Sequence, residues 1–462
     1  MNLIIRILLA LLSSNILIAQ TPTTKHFSSK LLEAGLRENG AFAMLQELCT
    51  KAPHRLSGSD GAALAVELTK QMMIDRGLAN VHLEKIMVPH WVRGEEEAYI
   101  VADKSVKAQQ TMQVQRLAVC ALGGSIATPE KGFEAEVIEV KNFDQLKALG
   151  EKASGKIIFF NRPFDPTKLN TFEAYGGAVD QRSSGAMEAA KVGAIGVLVR
   201  SMTHSTDDVP HTGAMNYADT IKKIPAAALG VASANKLSDL LAKGNKVRVM
   251  MRLTCKTLPD VQSANVVGEI TGTEKPKEII VVGGHLDCWD KGQGAHDDGA
   301  GCVQAIEALH LLKQLGVKPK RTIRAVMFIN EENGNRGGKG YPMAAERTGE
   351  THVAAIESDR GGFAPRSLSF QGDSLLLEKI QRWQSVFKPL KVDDIVAGGS
   401  GVDVSPMVDK GVPGFGLVPE DQRYFYYHHS DNDTIDEVNP RELQLGAIVE
   451  AMLCWLISEE GL

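Results

Sequence analysis

The sequence predicts an α/β fold, a sheet covered by helices on both faces, with a second and smaller α/β unit inserted into it. Three observations carry this expectation. Glu278-Ile279-Ile280-Val281-Val282 is a near-continuous apolar run, the pattern of a strand buried on both sides. Strand-like and helix-like segments alternate around and beyond it, as in parallel-sheet units. Short clusters of His, Asp and Glu then follow three of these strands directly, at the edge where open α/β sheets bind ligands.

The elements follow in order. Leu31, Leu32, Leu36, Ala43, Leu45 and Leu48 recur at helical intervals, and residues 62–73 repeat the pattern, so 28–80 reads as helical. Residues 82–101 have strand-like composition. Gly123-Gly124 and Thr128-Pro129 punctuate the chain at 116–135, and a separate α/β unit is predicted over 116–257. Its strands are expected at 156–160, 194–199 and 224–230, its helices at 184–191 and 234–242. Residues 21–115 then form the N-terminal part of the main domain and 258–462 its remainder. There, 299–315 is an amphipathic helix with Val303, Ile306, Leu309 and Leu312 on one stripe, and strands are expected at 322–330 and 353–356.

The chain has 462 residues, 44% hydrophobic and 23% charged, a soluble composition with room for two or three domains. Its net charge of -5 is dispersed, and no basic block suits a phosphate backbone, which argues against nucleic acid as a partner. Residues 1–20 read as a secretory signal peptide: Arg6 in a short positive start, an apolar stretch to Ala19, then the polar Thr21-Pro22-Thr23-Thr24-Lys25. Ser13, Ser14 and Asn15 interrupt the apolar stretch and disfavour a membrane span. The expectation is a secreted or periplasmic protein without stable membrane insertion after signal removal. The six cysteines include no Cys-x-x-Cys pair, so they read mainly as small core residues, and sequence selects no disulfide pairing.

The chemistry lies between 285 and 429. His285 stands in Gly-Gly-His-Leu-Asp (283–287), Asp297 in His-Asp-Asp-Gly-Ala-Gly (296–301), Glu331 and Glu332 in Asn-Glu-Glu-Asn (330–333), Asp359 in Glu-Ser-Asp-Arg (357–360), and His429 in His-His-Ser-Asp-Asn-Asp-Thr (428–434). Each fragment alone has a bland reading as a surface loop, a solvated acidic pair or a helix cap. Together they arrive at strand ends, and imidazoles with carboxylates are zinc ligands. Two zinc ions need one ligand that reaches both. Asp297 fits as the bridge, in a Gly-rich turn opening a helix. His285 and Asp359 then serve one ion, Glu332 and His429 the other. Glu331 diverges from its neighbour and is left as general base. Asp287 is expected to accept the His285 ring N–H through its carboxylate, fixing the tautomer. Rival motifs fail: Gly337-Gly338-Lys339-Gly340 lacks P-loop spacing, Gly292-Gln293-Gly294 lacks a third glycine, and Gly399-Ser400-Gly401 lacks the flanks of a nucleophile elbow.

On the stretches 283–299, 330–334, 357–359 and 425–430 the chain resembles the co-catalytic di-zinc exopeptidases, the family of bacterial leucine aminopeptidases and glutamate carboxypeptidase, and within it the carboxypeptidase Q group. The resemblance implies a phosphorylase/hydrolase-like mixed sheet flanked by helices, with a protease-associated domain lying over the cleft. It implies the same ligands, His285, Asp297, Glu332, Asp359 and His429, with Asp297 bridging two Zn2+ per chain and Glu331 as base. His429 rather than His428 matches, through the His-Ser and later Asp-Thr pattern. The implied activity is hydrolysis of short peptides, above all dipeptides with free termini, by a water held between the zinc ions. An aminopeptidase on the same site, a zinc hydrolase of another amide, and an inactive binding module on the scaffold are the alternatives; a homodimer is left open. Two positions depart from the family pattern, Cys288 and Arg360. Arg360, beside Asp359, either reads a substrate carboxylate or pairs with a neighbouring acid.

Overall fold

The computed structural model describes residues 22–101 and 115–462; the signal segment expected at 1–20 lies outside them. The described residues build two eight-stranded mixed sheets. In the main sheet the strands run in the order Ala79–Val92, Lys256–Ile270, Arg321–Phe328, Lys275–His285, Thr351–Glu357, Gly414–Pro419, Pro365–Gln371, Asp394–Ala397. The four in the middle, from Arg321–Phe328 to Gly414–Pro419, are parallel. Antiparallel pairs flank them on both sides.

The apolar run at 279–282 divides between the two faces as strand geometry requires. Ile280 and Val282 join one buried cluster, Ile279 and Val281 another with Val404 and Met407. Helix Ala300–Gln314 differs from the amphipathic expectation, being buried on nearly every side. The reason is that it lies between the sheet and the long helix Pro440–Glu460, and Gly446 lets the two helices approach: a Cβ there would strike Gln304. Its buried polar groups are answered locally, Gln304 accepting from Ser358 Oγ at 2.8 Å and Glu307 from Gln444 Nε2 at 3.0 Å.

The second sheet runs Gln115–Leu117, Glu96–Val101, Arg248–Leu253, Phe133–Val140, Ile157–Phe160, Gly196–Arg200, Ala226–Leu229, Val119–Ala121. It therefore begins before the expected boundary at 116. Glu96–Val101 pairs antiparallel with Arg248–Leu253 and buries Ala98 and Ile100, so it belongs to the inserted unit. The physical joint lies at residues 93–95, where Gly94 has φ +71° and a Cβ would meet Thr254. Ala79–Val92 and Lys256–Ile270 form a long ribbon leading to that joint. All six cysteines are buried and unpaired. No helix among the described residues is long and apolar enough to cross a membrane.

Candidate metal centre

The predicted residues converge on the C-terminal crest of the parallel strands. His285 ends its strand, the Glu331-Glu332 turn follows Arg321–Phe328, and Asp359 lies two residues past Thr351–Glu357. Main-chain hydrogen bonds anchor His285 and Asp297. The His285 N–H donates to Asp298 Oδ2 at 3.1 Å, and Asp298 Oδ1 accepts from Gly301 N, in the first turn of helix Ala300–Gln314, at 3.0 Å. Of the Asp297-Asp298 pair, the second is taken up by these main-chain N–H groups and the first faces the crest. Asp433 takes the main-chain N–H groups of His296 and Asp297 at 2.7 and 3.1 Å. The turn carrying Glu331 bends at Asn330, in the left-handed region at φ +70°.

Asp297 lies at the middle. Its Oδ1 is 3.2 Å from His285 Nε2 and its Oδ2 3.3 Å from His429 Nε2. His285 Nε2 also lies 3.4 Å from Asp359 Oδ1, and His429 Nε2 3.1 Å from Glu332 Oε2. His285-Asp297-Asp359 and Asp297-His428-His429 each bring ligand atoms within 4.8 Å, and Asp297 is common to both groups. Of the adjacent imidazoles, His428 Nε2 stands farther from Asp297 Oδ2, at 3.9 Å, and its ring stacks on His429 with centroids 3.5 Å apart. His428 packs further against Tyr175, Tyr424 and Phe425. Its neighbour His429 faces Asp297 and Glu332 together.

The donor set suits cations. Asp297 Oδ2, Glu332 Oε1 and Asp359 Oδ1 are buried without a hydrogen-bond donor, a costly state for carboxylates unless positive charge compensates it. His285 Nδ1 donates to the Asp287 carbonyl oxygen at 2.8 Å, and His429 Nδ1 faces the Thr212 carbonyl oxygen at 3.3 Å. A carbonyl can only accept, so His285 in its neutral form presents a bare Nε2 to the carboxylates. Burial, and then the nearby Asp359, Asp287 and Asp297, push Glu331 up to about 8 against the pull of His285. Burial likewise raises Glu332 and Asp359, with Asp297 adding to both. Burial would also raise Asp297, yet the His285 hydrogen bond and the two imidazole charges hold it below its usual value.

One expected contact is corrected. The Asp287 carboxylate does not take the His285 ring; the Asp287 main-chain oxygen does. Two residues along a strand end, the backbone reaches that nitrogen first. The carboxylate turns instead to Ser57 Oγ and the Glu331 N–H, both at 3.0 Å.

Several further groups surround the centre. Arg55, fully buried, donates to the carbonyls of Leu286 at 2.6 Å, Gly294 at 2.7 Å and Gln293, and so clamps the loop beneath Asp297. From the inserted unit, Thr212 N donates to His429 O at 2.9 Å and His211 Nδ1 to His428 O at 2.7 Å. Arg182 NH1 approaches His429 Nδ1 at 3.4 Å and NH2 donates to Tyr175 Oη at 2.7 Å. Trp289 meets the His429 ring edge-on at 5.8 Å. Gly123, also from the inserted unit, must lack a side chain because a Cβ would collide with the Trp289 ring.

Comparisons with known proteins show what the chain is similar to. The profile of peptidase family M28 matches residues 265–453. Carboxypeptidase Q of Bos taurus is 36% identical over 425 residues, 92% of this chain and 86% of the bovine one. The crystal structure of a peptidase M28 precursor from Shewanella amazonensis superposes with TM-score 0.89 at 31% identity, covering 95% of this chain and 98% of that one. A zinc aminopeptidase from Bacillus subtilis shares the fold at TM-score 0.63 and 19% identity, over 90% and 94% of the two chains. Fold and centre together define a metallopeptidase. The chain belongs to peptidase family M28.

Proposed function

We propose that this protein is an exported di-zinc exopeptidase that hydrolyses short peptides, with dipeptides bearing free termini as its substrates. The carrying observation is the division of Asp297, one carboxylate oxygen toward His285 and the other toward His429. On this reading His285 and Asp359 hold one zinc ion, Glu332 and His429 the second, and Asp297 both. Zinc there would supply Lewis-acid polarisation of the scissile carbonyl and acidify water. The remaining work belongs to the side chains. Glu331, at the crest and partly open to solvent, takes the proton of the attacking water and returns it to the leaving amine nitrogen. Asp287 holds the Glu331 main chain in place. The inserted unit, in the role of a protease-associated domain, brings Thr212, Arg182 and Tyr175 over the centre, which favours small substrates.

Export rests on the signal-like residues 1–20. The related bovine protein is named as a carboxypeptidase, and the half-buried Arg360 guanidinium beside Asp359 is a group suited to a substrate carboxylate. The test is to count metals in the purified protein and to assay dipeptides with free and blocked ends. Two zincs per chain and cleavage of free dipeptides are expected; a metal-free protein that zinc cannot activate sinks the reading.

A further inference from the structure

A cavity of about 200 Å³ opens beside Asp359, lined by Phe172, Arg360, the Gly399-Ser400-Gly401 turn and Leu417, with Glu357 at its base. Arg360 is the one cation among the described residues that line it. Most buried or half-buried arginines of this chain are tied to acids, Arg93 to Asp290, Arg321 to Glu278, Arg324 to Glu269 and Glu350. Arg360 makes no ion pair among the described residues. Its guanidinium instead lies over the Phe172 ring, 4.7 Å from the centroid. Phe172 is in turn held by stacking on Tyr424 and an edge contact with Phe425. One face of the guanidinium is thus covered by an aromatic ring, which orients the fork and leaves its N–H edge for a planar acceptor.

The rest of the lining points the same way. Glu357 does not compete for Arg360: its two oxygens accept the main-chain N–H groups of Val402 and Val404, at 3.1 and 2.9 Å. The Asp359 charge is directed at the metal in the reading above, on which this step rests. Gly401, at φ +125° and against Glu357, keeps the turn free of a side chain and the cavity open.

We propose that this cavity is a substrate pocket selective for a carboxylate, with Arg360 as the specificity-determining residue and Phe172 as the platform that orients it. The carboxylate is either the free C-terminus of the peptide or an Asp or Glu side chain of it. Neither source changes the contact, a two-pronged charge-assisted pair.

The experiment compares kcat and KM on matched peptides: Ala-Ala with Ala-Ala amide for the terminal carboxylate, and Glu-Ala with Gln-Ala and Ala-Glu with Ala-Gln for the side chain. The zinc-loaded native enzyme is expected to favour the carboxylate member of at least one pair by roughly ten- to a hundredfold, mainly through KM. Which pair shows the preference identifies the source. In Arg360→Ala that ratio collapses toward one, and in Arg360→Lys, which keeps the charge but not the fork, it falls severalfold. A ratio that survives Arg360→Ala, or no preference in any pair, overturns the proposal. A zinc-loaded native enzyme that cleaves none of these peptides instead removes the exopeptidase reading, and this pocket assignment with it.

Discussion

Asp287 reaches Glu331 through the backbone, its Oδ1 accepting the Glu331 N–H at 3.0 Å, while its own carbonyl oxygen holds the His285 ring. The side chain of Asp287 thus serves Glu331, the proposed base, and its main chain serves His285, the proposed metal ligand. Replacing the side chain separates the two roles. Asp287→Ala should lower kcat about 10- to 100-fold and leave zinc content near that of the native protein. Metal loss in step with activity, measured by elemental analysis, would mean that the carboxylate orients the ligand after all.

Glu331→Gln keeps the shape of the base and removes its proton affinity. It should bind both zinc ions and lose roughly 10²- to 10⁴-fold in kcat. Full activity in a variant with native metal content would put the proton transfer elsewhere.

The metal-free protein should lose stability as pH rises. Burial is the main cause that pushes Glu331 and Glu357 up to about 8 and Asp433 up to about 7, from ordinary values of 4.5 and 3.8. These folded-state values are raised. Below the unfolded values both states hold the protons and nothing is lost. Between the two, the unfolded chain has released protons that the fold still binds, so stability falls with increasing pH until the folded groups titrate. Denaturant unfolding of chelator-treated protein from about pH 7 to about pH 8, above the range in which the buried histidines with lowered values oppose it, should show this decline, and zinc should flatten it while releasing protons. A rising curve in the absence of metal would contradict the charge distribution described here.

Arg55 anchors the loop under the centre by three carbonyl oxygens. Arg55→Ala strands all three in a buried setting, a loss of about 3 kcal/mol or more at roughly 1 kcal/mol each. Equilibrium unfolding in urea measures it, and a change below about 1 kcal/mol would show that water replaces the guanidinium.

The candidate ligands were readable in advance because each sits in its own short context, and each context falls at a strand end that hydrophobic runs already mark. His285 and Asp359 needed only their strands to be recognised. Arg55 and Thr212 were not readable, for a common reason: their partners are main-chain carbonyls and amides, which every sequence supplies equally. The Asp287 contact was misassigned because its carbonyl and carboxylate compete for one ring nitrogen two residues away, and local backbone geometry, not residue type, decides between them. Glu96–Val101 continues the strand-like pattern of Ala79–Val92, and only its pairing with Arg248–Leu253 shows that the chain has changed sheets. The helix Ala300–Gln314 looked one-sided because Gln304 and Glu307 are polar, and their buried partners Ser358 and Gln444 lie on other elements.

The grip of Thr212 and His211 on the main chain of His429 and His428 has a further consequence. A minimal enzyme made by excising the second sheet and rejoining the ribbon at residues 93–95 would lose the scaffold of His429, a proposed ligand, not merely a cover. The two units are therefore one module for any process that cuts and recombines genes, and a shortened descendant would have to reinvent the support of its second imidazole before it could discard the insert.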